Sequence, residues 1–417
     1  MNDISLVFLV ITSLFILFTA GVFSKGVLVG LLPVLSFVFC LAPNLLVSIF
    51  GKYALNPSTG AVQGNYPYAI QIVLSLLVNV GYFGMMLFVL TRILSGARLK
   101  LTRPLILLVV VWTYASVIDL LKGTLHVANI GVLVIFSALM VLPKLTIQTL
   151  AKQTILVSQV LIMASSTVGL IFNEIAWIPC RPDKCTFENF LFRGIFPYAN
   201  QVGLLIGLLA PIGIGIFKRN LVRVLYIAET IFFVYITGSR IALVAICFGY
   251  IAYLLQGLVN SRVIFLFSIL ITFVGLLPFK SNSFLTGRSF LWDIAKAKIA
   301  EAPLGGGSYA WQSSGSNLFV NAASSYSSHN LILEILLTGG IPMLVIYLFL
   351  MRETYLAISG FKSKVVFPFM ISFAIVAVGE RPFSLYFIDF SIPILISFIL
   401  LLSSEDKDIF VEEQIAK

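Results

Sequence analysis

Thirteen stretches of Leu, Ile, Val, Phe and Ala, most of them 17 to 25 residues long, follow one another from Ile4 to Leu402. A helix rising ~1.5 Å per residue needs an uninterrupted apolar run of that length to cross ~30 Å of hydrocarbon. A transmembrane barrel would instead show strands of ~10 residues with alternating polarity. The chain is therefore expected to be an all-α, polytopic integral membrane protein. Composition agrees: 59% of the 417 residues are hydrophobic and only 11% charged, with a mean hydropathy of +1.06. A soluble surface takes about a quarter charged residues.

The candidate spans are Ile4 to Phe23, Gly26 to Phe50, Tyr68 to Leu90, Leu105 to Leu121, Val127 to Leu142, Ile155 to Phe172, Val202 to Phe217, Leu221 to Thr237, Ile241 to Leu258, Val263 to Phe279, Leu331 to Met351, Val365 to Gly379 and Tyr386 to Leu402. Pro33 and Pro43 break the second, so the expected number is twelve to fourteen. Asp3, with no Lys or Arg before the first run, is unlike the basic start of a cleavable signal peptide, and the first segment is expected to be retained.

The net charge of +10 forms no basic run on a soluble domain, which argues against a nucleic-acid partner. It reads as topology. Placing alternate connections on opposite sides gathers Lys25, Arg92, Arg98, Lys100, Arg103, Lys144, Lys152, Lys218, Arg219, Arg223, Arg262, Arg352, Lys362, Lys364, Lys407 and Lys417 together, 16 of the 27 basic residues. That side is expected to be cytoplasmic, with the C-terminus inside and the N-terminus outside. The single transmembrane domain, residues 1–417, then carries two long external connections, 173–201 and 280–330, and a cytoplasmic tail, 403–417. Transporters keep their connections short and their machinery at the midplane; here the polar residues collect outside, and chemistry is expected there.

Four arginines fall on that external side: Arg193, Arg240, Arg288 and Arg381. Arginines that only anchor topology belong inside, whereas a guanidinium binds phosphate in bidentate geometry and stays charged at any physiological pH. They point to a lipid phosphate or pyrophosphate ligand. His329 opens the span after the long loop, where a helix N-terminus adds an anion-attracting dipole, and its imidazole can take a proton from a hydroxyl. Glu380, beside Arg381, is the alternative base. Glu229 and Glu334 lie within spans and must be paired or functional; Asp119 reads as a boundary residue. Cys180 and Cys185 bracket four residues in the first external loop, where a disulfide would suit an oxidising compartment. Two histidines and no ligand spacing argue against a metal site.

Other motifs fail on position. Asp406-Lys407-Asp408 lies on the tail, away from every other polar feature. Gly305-Gly306-Gly307 has neither a Lys-Ser/Thr after it nor a strand before it, and reads as a turn rather than a phosphate loop. Ile294 to Ala300 is expected to form a short helix at the external interface, with Trp292 and Trp311 at headgroup depth.

In order, Arg193 to Asn200, Gly238-Ser239-Arg240, Gly287-Arg288-Ser289-Phe290-Leu291-Trp292 with Pro303-Leu304-Gly305, and His329-Asn330 with Glu334 and Gly339-Gly340 resemble the bacterial O-antigen polymerase and ligase superfamily, the Wzy and WaaL proteins. The resemblance spans roughly Arg193 to Gly340. It implies a GT-C-like, metal-independent, inverting glycosyltransferase without cofactor, working at the periplasmic face of the bacterial inner membrane on glycans carried by undecaprenyl pyrophosphate. It implies that Arg193, Arg240, Arg288 and Arg381, with Asn200 and Asn330, bind pyrophosphate or glycan, and that His329, Arg288 and Glu380 serve the chemistry. Membrane lipids and a chain-length regulator are the expected partners. Ligases resemble one another in His-Asn/Ser-x(9)-Gly-x-x-Gly/Thr/Tyr; here Met343 takes the last position, and Asn-Leu-Ile-Leu-Glu is more like a polymerase. Polymerase is preferred, with ligase as the alternative and a lipid-linked glycan transporter behind both.

Overall fold

The computed structural model describes residues 3–28, 30–50, 52–55, 62–65, 67–97, 102–123, 127–141, 145–179, 190–196, 198–256, 258, 260–277, 288–307, 310, 328–357, 363–380, 382 and 391–403. It is an all-α bundle. In chain order the principal helices are α1 (Asp3–Thr19), α2 (Leu31–Phe50), α3 (Tyr68–Leu94), α4 (Arg103–Leu121), α5 (Val127–Val141), α6 (Ile147–Ile171), α7 (Ala199–Gly213), α8 (Asn220–Ile236), α9 (Arg240–Leu254), α10 (Ser261–Thr272), α11 (Arg288–Glu301), α12 (Leu331–Ala357), α13 (Ser363–Gly379) and α14 (Ile392–Ser403). Two short antiparallel hairpins complete it: β1 (Lys52–Leu55) with β2 (Val62–Asn65), and β3 (Trp177–Pro179) with β4 (Phe190–Phe192).

Each of the thirteen apolar stretches overlaps one of these helices, although α6 begins at Ile147, eight residues before the expected Ile155. Among the described residues six helices are long and apolar enough to cross a membrane, and six more apolar helices are shorter, at 10–17 residues. The all-α polytopic architecture is therefore present, while a count of thirteen crossings is not established by helix length.

The second stretch winds through its prolines. Pro43 lacks an N–H, so the carbonyl four residues earlier, on Phe39, has no helical donor. The chain relaxes into a π turn at Phe37–Leu41, and Asn44 Nδ2 donates to the Cys40 carbonyl at 2.7 Å. Such turns absorb a lost hydrogen bond without ending a helix.

Helix α7 is the hub. Every residue from Val202 to Gly213 is buried, the pattern of a helix surrounded by others. Its small residues permit the approach: a Cβ on Gly203 would stand 2.5 Å from Thr237 Oγ1, and one on Gly207 3.1 Å from the Ala242 carbonyl. Lipid supplies no hydrophobic drive between helices, so close packing of small residues and interhelical hydrogen bonds hold the bundle instead. Ser372 Oγ on α13 donates to the Ala245 carbonyl on α9 at 2.8 Å. Ser13 on α1 donates to Glu229 Oε1 on α8 at 2.7 Å, which pairs one intramembrane carboxyl.

Contacts between helix ends fix two faces. Gly169, near the end of α6, meets Leu6 of α1 and Phe192 of β4, and Ser48 of α2 donates to the Ile195 carbonyl. These residues, with the Thr237–Ser239 turn against Gly203, mark one end of the bundle. At the other, the α1 terminus at Gly21 meets Lys152 of α6.

Candidate functional site

Three elements converge at the first end. Helix α12 starts with a built cap: Asn330 Oδ1 accepts from Leu333 N at 2.9 Å, while Glu334 Oε2 accepts from both Ser328 N and Ser328 Oγ at 3.1 Å. This reciprocal arrangement satisfies the open N–H groups of the first turn. Glu334 is thus a capping residue in the first turn of its helix. Asn330 also reaches across to α13, donating Nδ2 to the Val378 carbonyl at 3.0 Å.

Between these two anchors His329 is forced to φ +52°, the only non-glycine residue with positive φ among those described. The left-handed region costs an ordinary residue ~1–2 kcal/mol. The caps on either side hold it there and aim its ring at the end of α13, where Nδ1 lies 2.7 Å from Glu380 Oε2. The imidazole is 30% exposed and the carboxyl 9%, so the pair is rooted in protein and accessible on the histidine side. With the carboxylate as acceptor, Nδ1–H donates and the ring's basic lone pair resides on Nε2. The two candidate bases read separately from the sequence form one unit.

The described end of the long connection folds back against the bundle. Gly340 (φ 63°, ψ −160°) interrupts α12, and the glycine turn folds down against the break. Gly306 N donates to Leu337 O at 2.7 Å, Gly307 N to Thr338 O at 2.9 Å, and Ile341 N to Pro303 O at 3.0 Å. Within a membrane protein, opened backbone is tolerated where other protein groups satisfy it. The outer part of α4 closes the far side, with Tyr114 Oη donating to Leu304 O at 2.8 Å and Lys122 Nζ to Gly305 O at 3.4 Å. Asp119 is fully buried there, and a Cβ on Gly307 would stand 2.5 Å from its Oδ1.

This re-entrant turn carries α11 back alongside α12. The helix is longer than the expected Ile294 to Ala300, and Trp292 is buried within the protein, 1% exposed and packed with Ala295, Leu333 and Leu337. Leu333 is one turn beyond His329, and Arg288 is one turn before Trp292, so the first residue of α11 and the cap of α12 come to the same end of the bundle. On α11, Lys298 Nζ donates to Ala310 O at 2.8 Å, and burial lowers its pKa from the usual lysine value.

The remaining candidates separate. Arg240 opens α9 and is exposed at the site end; Asn200 is half-buried in the first turn of α7. Arg193 is 2% exposed, its backbone N–H donating to Ala176 O at 2.9 Å and its Nε to Ile175 O. Those bonds clamp β4 to the end of α6. Cys180, Cys185, Arg381 and Trp311 lie outside the described residues, as do the Asp406–Asp408 motif and the Arg288 side chain.

Residues 224–348 match the family model Wzy_C, described as O-antigen ligase. That stretch runs from the first turns of α8 to the middle of α12 and takes in Arg240, Arg288, His329 and Asn330, but not Arg193, Asn200 or Glu380. It supports the O-antigen ligase and polymerase superfamily and does not distinguish the two activities. A search among curated proteins returned no match.

Proposed function

We propose that this chain, a multi-pass membrane protein carrying the O-antigen ligase domain, is a glycosyltransferase that joins repeat units carried on undecaprenyl pyrophosphate at the periplasmic face of the bacterial inner membrane. The observation that carries the reading is the His329–Glu380 pair at the mouth of the bundle. Glu380 fixes the imidazole so that Nε2 can accept the proton of an acceptor sugar hydroxyl as that oxygen attacks the anomeric carbon. The anomeric C–O bond to the pyrophosphate breaks, and the polyprenyl pyrophosphate leaves. Attack opposite the leaving group inverts the anomeric centre.

Pyrophosphate leaves with developing negative charge, which fixed guanidinium groups stabilise without a metal ion. Arg240 and Arg288 are the residues proposed for this, since both head a helix at the His329 end, and Arg381 is proposed beside Glu380. Asn200 is proposed to contact glycan. Asn330 supports the site through its cap, and Arg193 supports it through the strand it clamps.

A second reading has its own observation. The matched family is described as O-antigen ligase, which would transfer finished polymer to lipid A-core. Met343, where the ligase pattern has Gly, Thr or Tyr, is 1% exposed beside Gly339, where a Cβ would collide with its side chain. A small residue here would leave a void.

Lipopolysaccharide banding tests both. A deletion strain complemented with wild type, His329→Ala or Glu380→Ala at matched membrane levels should show core plus one repeat unit for the deletion, with the ladder restored only by wild type. Bare core with polymer retained on the lipid carrier selects the ligase reading. An unchanged ladder in the deletion rejects both.

A further inference from the structure

At the end of the bundle opposite His329, an apolar cavity of about 330 Å³ opens between the α2 segment and α6, lined by Leu28, Pro33, Phe37, Leu156, Val160 and Leu161 among others. Between α6 and the chain at Gly26, Gln153 is fully buried and its Nε2 donates to Gly26 O at 3.4 Å. A Cβ on Gly30 would collide with that amide. The π turn at Phe37 sets the outer rim. The volume lies within the ~300–1,000 Å³ typical of ligand pockets, and the lining is apolar apart from Ser36, whose hydroxyl already donates to the Leu32 carbonyl.

The rim toward the bundle end is cationic. Lys152 is one helical turn before Leu156 on the same face of α6, and its Nζ comes within 3.7 Å of the position a Cβ on Gly21 would take, over the turn that ends α1. Between Ile4 and Asn173 the sequence contains a single acidic residue, Asp119, against Lys25, Lys52, Arg92, Arg98, Lys100, Arg103, Lys122, Lys144 and Lys152. Asp119 sits at the site end, against Gly307. Residues 4–173 therefore place no carboxylate at this end.

We propose that the cavity binds one anionic phospholipid from the leaflet at this end of the bundle, with an acyl chain between α2 and α6 and its phosphate against Lys152. The shape selects a hydrocarbon chain and the rim selects negative charge. One lysine near an anionic surface contributes ~1 kcal/mol, about a fivefold preference. The site is remote from His329 and stands whatever reaction the outer end performs.

The test uses the full chain, purified and delipidated, then reconstituted into nanodiscs of equimolar phosphatidylglycerol and phosphatidylcholine and re-extracted. Retained phospholipid is measured by native mass spectrometry. Wild type should keep about one phospholipid per chain with about fivefold enrichment in phosphatidylglycerol. Lys152→Gln should keep the lipid and lose the enrichment; Val160→Trp, which fills the cavity, should lose the lipid. Equal retention of both lipids by wild type, or enrichment unchanged in Lys152→Gln, overturns the proposal. Should Val160→Trp fail to fold, Lys152→Gln alone decides.

Discussion

Replacing Gly340 by alanine should detach the re-entrant turn while leaving the bundle folded. The backbone at φ 63°, ψ −160° lies in a region essentially reserved for glycine, and a Cβ would collide with the carbonyl oxygen of Pro303. If the turn stays, strain of this kind costs ~1–3 kcal/mol before the collision is counted. If it retreats, three backbone hydrogen bonds open, worth ~1 kcal/mol each. Either way the local penalty is about 3 kcal/mol or more, and doing both reaches about 6 kcal/mol, comparable with the whole stability of a small domain. Retreat is the cheaper route, because it leaves α12 otherwise intact. Hydrogen–deuterium exchange on detergent-solubilised protein reads it directly: the amides of Gly306, Gly307 and Ile341 should lose protection by about a hundredfold, while those of α7 and α9 should not change. Transfer activity should fall with them, since the turn holds α11, and Arg288 with it, beside the α12 cap. Wild-type protection at all three amides in a folded Gly340→Ala variant would refute the reasoning.

Other consequences can be checked on the same protein. His329→Ala should lower transfer by ~10²–10⁴-fold, the usual worth of a general base, with donor binding in a pull-down with lipid-linked glycan nearly unchanged. Asn330→Ala removes a helix cap and should lower thermal stability by ~1 kcal/mol, with a further loss from the bond to Val378 that makes it larger than an alanine change at exposed Ser95. Arg193→Lys keeps the charge but not the Nε donor to Ile175; it should reduce the yield of folded protein while sparing the donor Kd of the surviving fraction, whereas a pyrophosphate-binding Arg193 would show the reverse. Ser13→Ala should destabilise the bundle by ~0.5–1.5 kcal/mol, the net worth of a typical buried hydrogen bond, measured as a lowered midpoint of thermal unfolding in detergent.

How much of this was legible in the sequence differs between elements. The apolar stretches announced their helices because lipid demands continuous hydrophobicity and internal backbone bonding. A helix start after the long loop was legible at His329, but Glu334 was read as lying within the span, and its role in the cap with Ser328 and Asn330 was not. What escaped was everything made by distance in sequence. His329 and Glu380 stand 51 residues apart, and nothing local marks one as the other's partner; each could only be weighed alone. The glycine turn at 305–307 read as a surface turn because its partners, Leu337, Thr338 and Ile341, lie thirty residues on, where Gly339-Gly340 was the only hint of an opened helix. Trp292 was assigned to the interface by composition, and the packing of α11 on α12 buries it. Pro33 and Pro43 suggested a broken span, but a π turn and the Asn44 side chain keep it whole. Arg193 read like Arg240 in the sequence, but it is buried beside the β3–β4 pair while Arg240 is exposed.

The pairing of His329 with Glu380 in glycosyl transfer is open to a double-mutant cycle on purified, reconstituted protein supplied with polyprenyl-pyrophosphate-linked glycan. Rates would be taken for wild type, His329→Ala, Glu380→Gln and the double variant. If Glu380 acts by holding the imidazole, its replacement should slow transfer by at least tenfold in wild type and have no further effect once His329 is gone. Equal effects of Glu380→Gln in the presence and absence of His329, or full activity of Glu380→Gln, would contradict it.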